Sequence, residues 1–123
     1  MCHQTVSLVA RHLETAGIPT VVLGSARDIV EHCGVPRFLF VDFPLGNPCG
    51  RPWDEQMQRS IVTSALGLFE QAQEPRTTTQ APFQFNDDES WRRRYMQVRA
   101  EDAAGLARRG AELRRRRAQS KSG

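Results

Sequence analysis

The sequence predicts an α/β fold: a partial Rossmann-like layer with a short parallel sheet and flanking helices, followed by a C-terminal helix and a basic tail. Two apolar segments are separated by a short segment with a helical pattern: residues 18–23, which are rich in β-branched residues, and residues 36–42, which have an apolar core of four residues. A strand, a helix and a strand in this order form a parallel pair with a right-handed crossover. The chain has 123 residues, which is the size of one modest domain.

The first helix and the first strand follow from local residue patterns. A helix is predicted over residues 5–16, and its apolar residues share one stripe: Val6, Val9, Leu13 and Ala16. Gly17 supplies the left-handed position at which such a helix ends. Residues 18–23 (IPTVVL) are almost wholly apolar, as is typical of a strand buried on both faces.

The second helix and strand complete the crossover. Ser25 and Asp28 have capping-box spacing, so the Ser25 hydroxyl is expected to cap a helix over residues 26–33. Gly34 again provides a stop. Residues 36–42 form the second strand, which carries Asp42 at its carboxyl end, where the side chain could accept a proton or hold a loop amide.

The rest of the chain divides into four parts. A turn-rich loop over residues 43–52 leads into a long helix from about residue 53 to 73, which closes an α/β domain over residues 1–73. Residues 74–89 form an extended connector, in which Phe83 and Phe85 lie against an apolar surface. A helical pattern runs over residues 90–117; only 90–113 is assigned to the C-terminal helix, and 114–123 is a disordered basic tail.

Composition and charge exclude several classes of protein. No apolar run approaches the roughly 18 residues that a membrane helix needs. The 3 cysteines do not form a disulfide framework, so a reducing, cytoplasmic setting is expected. The formal net charge of +3 is concentrated in the last part of the chain. The arginine clusters there are interpreted as a solvated tail in preference to a nucleic-acid surface.

Two cysteines are candidate functional thiols. Cys2 lies near a predicted helix N-terminus, where free amides and the helix dipole favour a thiolate suited to a resolving or metal-binding role. Cys49 lies in the loop after the second strand, on the sheet edge where open α/β folds bind ligands. Cys2, Ser25 and Cys49 are therefore expected on one rim. The ordinary alternatives are a mobile terminal residue and a small loop residue, and Cys33 is assigned to packing.

The turn after the first strand is a candidate anion site. The amides of Gly24 and Ser25 could cradle a carboxylate or phosphate, with Arg27 in reach, although capping alone also explains Ser25. No metal site and no cofactor are predicted, because the histidines and cysteines lack the paired spacing of metal ligands.

Three stretches occur together in one order: residues 2–6 (CHQTV), 16–21 (AGIPTV) and 44–48 (PLGNP). The last is the most specific, since it follows a predicted strand and precedes a long helix. Together they resemble the glycine/sarcosine/betaine/D-proline reductase family, in particular its selenoprotein B subunits and their cysteine-containing relatives. The resemblance covers roughly residues 2–72 and includes Gly46 and Asn47, which become candidate substrate-binding residues.

The resemblance implies thiol or selenol chemistry on an activated amino-acid derivative. Family members carry selenocysteine or cysteine followed by two further cysteines at intervals of two residues, and Cys2 matches the last of them. The selenolate attacks an amino acid activated by a pyruvoyl group on another subunit. The reactive residue would lie upstream of Met1, so a C-terminal part of a subunit is implied: truncated, split from a partner, or following a selenocysteine codon read as a stop.

The leading expectation is therefore a reductase-related protein that is inactive alone. It would act with an upstream or companion reductase subunit, or as a homo-oligomer, on an amino-acid-derived small molecule. The alternative is a non-catalytic interaction module, in which Phe83, Phe85 and the basic helix dock to a partner. Nucleic-acid binding by the tail would show a steep dependence on salt.

Overall fold

The fold was obtained as a computed structural model and is described for residues 2–95 and 97–121. It consists of short strands and flanking helices, as an α/β fold requires, and confirms the predicted fold class. The elements in chain order are α1 (Cys2–Thr15), β1 (Val22–Gly24), α2 (Arg27–Cys33), β2 (Arg37–Phe40), α3 (Glu55–Gln71), β3 (Thr77–Gln80), α4 (Ser90–Arg94) and α5 (Ala100–Lys121).

The sheet has three parallel strands in the order β1-β2-β3. Val22 lies opposite Phe38, which in turn lies opposite Thr78. The third strand falls inside residues 74–89, which the sequence analysis treated as an extended connector. Its threonines are β-branched and suit a strand, but they lack the apolar pattern that marks β1 and β2, and none of its residues is buried.

One face of the sheet is covered by α3 through an apolar core. The fully buried Ile61 and nearly buried Ala65 and Leu68 point from α3 toward Leu39 of β2. The predicted long helix is thus confirmed, although it begins at Glu55. Asp54 caps it, accepting a hydrogen bond from the Met57 amide at 3.0 Å.

The other face carries α1 and α2 around a second core, which includes Ala10, Val30 and Phe38. The buried residues of α1 are Ser7 and Ala10, whereas the side chains of Val6 and Val9 are 44% and 51% exposed. The apolar pattern predicts instead that the stripe through Val6 and Val9 is the buried side of this helix. That stripe is rotated away from the buried side, because small and polar residues allow α1 to approach the sheet.

Gly17 and Gly34 end α1 and α2 as predicted. Their φ angles are +83° and +73°, values that residues with a Cβ adopt only with strain. The Gly34 amide bonds to carbonyls of the preceding turn, which completes the end of α2.

The C-terminal region forms two helices where one was predicted, and the chain divides into a compact unit up to Arg92 and another from Arg93 onward. Helix α5 continues to Lys121, so residues 114–121, expected to be disordered, are helical; Ser122 and Gly123 lie outside the described residues. Acidic side chains in the first turn of α5 favour the helix. Within residues 2–95 and 97–121, no helix has the length and apolar character needed to cross a membrane.

Candidate active site

The candidate thiol Cys2 lies in the first turn of α1 and is exposed. Its sulfur lies 3.7 Å from Nδ1 of the neighbouring His3, within range of a hydrogen bond to sulfur. His3 is half-buried, and its backbone carbonyl accepts a hydrogen bond from the Ser7 hydroxyl at 2.6 Å. Cys2 is therefore paired with a histidine whose backbone is held inside the helix.

The other ring nitrogen of His3 reaches the turn after β1. Its Nε2 accepts hydrogen bonds from the backbone amides of Ser25 at 3.0 Å and Ala26 at 3.3 Å. A nitrogen that accepts two N–H groups carries no proton, so the proton of the neutral ring lies on Nδ1. This tautomer follows from the hydrogen-bond network, and it makes His3 a donor toward the Cys2 sulfur.

Gly24 leaves the space that the imidazole occupies. A Cβ at this position would lie 2.9 Å from His3 Cδ2 and 3.2 Å from the ring of Phe38. Both neighbours are ring atoms on packed side chains, so neither moves without disturbing the core. The glycine of the predicted anion turn thus admits a side chain of the protein itself.

Of the three residues of the candidate anion site, Gly24 and Ser25 lie against the His3 ring, whereas no contact joins Arg27 to His3 among the described contacts. The Ser25 and Ala26 amides are engaged by the imidazole, and the Arg27 guanidinium contacts Glu31 at 2.9 Å. The predicted capping role of Ser25 is wrong. Ala26 occupies the N-cap position of α2, and the buried Ser25 hydroxyl finds no hydrogen-bond partner in the described part of the chain.

Cys49 lies in a different setting. It is exposed and lines a groove of about 550 Å³ along α3, together with residues that include Glu55, Arg59 and Val62. Neither Cys2 nor Ser25 is among the residues that line this groove. Cys2 belongs to α1 on one face of the sheet, whereas the groove that Cys49 lines runs along α3, which covers the other face.

The remaining residues of the PLGNP stretch form turns. Gly46 has a φ of +95°, which glycine adopts without strain. The backbone N–H of Asn47 and its side-chain amide both donate hydrogen bonds to the backbone carbonyl of Pro44, at 3.1 and 3.4 Å. Both candidate substrate residues therefore have a local structural role in this loop.

Asp42, two residues after β2, accepts a hydrogen bond from the Arg92 guanidinium, and this contact raises the pKa of Arg92 above its ordinary value. Beside it, the Phe85 ring packs edge-on against Phe43 and Trp91, with centroids 5.4 and 6.4 Å away. Phe83 and Phe85 pack against the α3-side core. The apolar surface predicted to receive them thus belongs to this chain.

Cys33 borders a groove of about 480 Å³, lined also by Gln4, Asp28, Ile29 and His32. In the part of the chain that the structure describes, no group of three or more histidine, cysteine or acidic side chains could hold a metal ion. His3 is a residue of this site that the sequence alone does not predict. Its one signal was the adjacency of Cys2 and His3 at the start of a helix, which says nothing about the turn that the ring contacts.

The fold and this geometry define a small α/β protein with an exposed thiol beside a histidine that is anchored to the end of a parallel strand. The chain is similar to the D-proline reductase subunit gamma of Acetoanaerobium sticklandii, with 34% identity over 65 residues. The matched region makes up 53% of this chain and 27% of the relative, so the chain spans about a quarter of the relative's length. No protein-family model and no solved structure matches the chain. The similarity supports a relationship to reductase subunits over about half of the chain.

Proposed function

We propose that this chain is a reductase-related α/β protein whose Cys2 thiol takes part in thiol exchange with a companion reductase subunit. The observation that carries the proposal is the contact between the Cys2 sulfur and a histidine anchored on the β1–α2 turn. The similarity to a subunit of D-proline reductase over about half of the chain supports a reductase-related reaction. We further propose the selenoprotein B-like type of subunit and a reducing, cytoplasmic setting.

The chemistry proposed for Cys2 is that of a resolving thiol. Its thiolate attacks one atom of a disulfide or selenylsulfide on the companion subunit. A new bond forms between Cys2 sulfur and the attacked atom, the original bond breaks, and the second atom leaves as a thiolate or selenolate with the electron pair. The released nucleophile is then available to attack an activated amino-acid derivative, which is the proposed substrate class.

Cys49 is the second candidate thiol, and it serves as a comparison within the same chain. It is exposed like Cys2, but none of the residues lining its groove is a histidine. Reactivity that depends only on exposure would therefore be similar at the two positions. Reactivity that depends on the environment of Cys2 would differ.

The test is thiol–disulfide exchange between the full chain and a small aromatic disulfide, with each modified cysteine identified by mass mapping. We expect Cys2 to exchange at least about fivefold faster than Cys49, the effect of one hydrogen bond of ordinary strength. Cys2→Ser should remove the fast phase, whereas Cys49→Ser should leave it in place. Equal rates at Cys2 and Cys49 in the unsubstituted chain would contradict the proposed function.

The companion subunit is tested separately, by supplying the full chain to a D-proline reductase whose gamma subunit lacks the matching stretch. We expect the chain to increase the consumption of D-proline, and the Cys2→Ser variant to give a smaller increase. Consumption unchanged by the folded, unsubstituted chain would contradict the proposed reductase partner.

A further inference from the structure

The His3 ring is held from three directions. The Ser25 and Ala26 amides fix Nε2, the absence of a side chain at Gly24 admits the ring, and α1 holds the residue's own backbone. Each constraint comes from a different part of the chain. The ring therefore has one orientation relative to the β1–α2 turn, and that orientation directs Nδ1 toward Cys2.

We propose that His3 is a positioning residue that directs an Nδ1–H hydrogen bond at the Cys2 sulfur and thereby increases the reactivity of this thiol. The inference rests on the proposed function of Cys2 and adds a defined role for its neighbour. His3 acts as a hydrogen-bond donor in this arrangement. It does not accept the thiol proton, because the ring nitrogen facing the sulfur already carries one.

The donor role follows from the amides of the turn. If Nε2 carried the proton, two backbone N–H groups and a ring N–H would point at one another, and all three would lose an acceptor. The partly buried turn makes that loss unfavourable. A hydrogen bond donated to sulfur stabilises the thiolate, the form that acts as a nucleophile. The contacts of Nε2 therefore determine that Nδ1 acts as a hydrogen-bond donor to the Cys2 sulfur.

Two substitutions separate the anchoring of the turn from the donation to sulfur. In His3→Gln, the side-chain carbonyl can reach the former Nε2 position and accept from the Ser25 and Ala26 amides, but nothing replaces Nδ1–H. In His3→Asn, the shorter amide lies near the former Nδ1 position and can donate to Cys2, but it does not reach the turn.

The experiment measures alkylation of the full chain by iodoacetamide at neutral pH, with Cys2 and Cys49 quantified separately by mass spectrometry. Sulfur displaces iodide in this reaction, so a carbon–sulfur bond forms as the carbon–iodine bond breaks. We expect His3→Gln to slow alkylation of Cys2 by about fivefold and His3→Asn to keep it within about twofold of the original rate. The rate at Cys49 should stay unchanged in both variants.

Amide hydrogen exchange at Ser25 and Ala26 shows whether the turn is retained. Slow Cys2 alkylation in a His3→Gln chain that keeps this protection supports the donor role. Alkylation of Cys2 at the original rate in His3→Gln would overturn it, as would equal slowing in both variants. If a variant does not fold, the test is which ring nitrogen of His3 carries the proton in the unsubstituted chain. A proton on Nδ1 supports the inference, and a proton on Nε2 overturns it. Equal alkylation of Cys2 and Cys49 in the unsubstituted chain would instead count against the proposed function.

Discussion

The two faces of the sheet are covered in different ways. On one face, α3 presents Ile61, Ala65 and Leu68 to an apolar core. On the other, α1 presents a row that includes His3, Ser7, Ala10 and Glu14, and three of these four residues are polar. Helix α3 is held by burial of apolar surface, whereas α1 also depends on directed hydrogen bonds.

Two of these polar residues, His3 and Glu14, lie near the two ends of α1 and contact the chain at the two ends of β1. His3 accepts from the amides that follow β1. Glu14 accepts from the Thr20 amide, which precedes β1, and from Arg37, each at 2.6 Å. The strand thus lies between two polar contacts of one helix. Helix α3 therefore contributes apolar burial to the sheet, whereas α1 also places the candidate thiol.

The largest expected effect is on the α3 layer. Ile61 is fully buried, and Ile61→Ala should lower the free energy of unfolding by about 3 kcal/mol because it leaves a cavity. Urea denaturation measures the change. Val62→Ala is the matched control, since that side chain is 42% exposed, and its effect should stay below about 1 kcal/mol. Equal effects of the two substitutions would contradict the orientation of α3.

Gly24→Ala tests the space beneath the His3 ring. The added Cβ would meet His3 Cδ2 at 2.9 Å, so we expect a loss of about 2 kcal/mol in the free energy of unfolding from overpacking. The displaced ring should also slow the alkylation of Cys2 without affecting Cys49. Gly46→Ala is a useful comparison, because nothing lies within 4 Å of a Cβ there and any loss comes from backbone strain alone. Unchanged Cys2 reactivity in Gly24→Ala would show that the ring position does not matter.

Glu14→Gln tests the other end of α1. The hydrogen bond from the Thr20 amide is the largest cause that holds the pKa of Glu14 below its ordinary value of 4.5 in the folded protein. The carboxylate therefore stabilises the fold above that ordinary value, and this contribution is lost as the pH falls through the lower folded pKa.

We expect Glu14→Gln to reduce stability by about 1 kcal/mol at neutral pH, and the difference from the unsubstituted chain to shrink in acid. Chemical denaturation at a series of pH values measures both. Glu31→Gln is the control, because Glu31 pairs with Arg27 in a largely exposed position and should change stability very little. A constant difference at every pH would mean that the Glu14 charge is not involved.

The smallest effect is expected on the outer side of α1. Val9 is 51% exposed, so Val9→Ala should change the free energy of unfolding by less than about 1 kcal/mol. Ala10→Leu, one position further, should destabilise the fold clearly, since Ala10 is buried. If urea denaturation showed Val9→Ala to be more destabilising than Ala10→Leu, the stripe through Val9 would be the buried side of α1, as the sequence pattern predicts.

Much of the fold could be predicted from local patterns. The strands β1 and β2 are short apolar runs, and Gly17 and Gly34 mark the ends of helices. The strand β3 was missed because its threonines lack an apolar signal at the sheet edge. The break between α4 and α5 was also missed, since the helical pattern of charged residues continues across it.

The candidate site was only partly predictable. Cys2, Gly24 and Ser25 could be selected because helix starts and the turns after parallel strands often carry function. The role of His3 depends on which side of α1 faces the sheet, and the apolar pattern indicated the wrong side. The different surroundings of Cys49 and Cys2 depend on which helix covers which face of the sheet, and no local pattern reports that relation.

The most direct test of the account is the protonation of the His3 ring in the unsubstituted chain, observed by nitrogen-15 NMR of a histidine-labelled sample at neutral pH. His3→Gln identifies the signal by its absence. We expect a proton on Nδ1, an unprotonated Nε2, and coupling of Nε2 to the Ser25 and Ala26 amides. A proton on Nε2, with Nδ1 free to accept from Cys2, would contradict the central claim that the turn makes His3 a donor to this thiol.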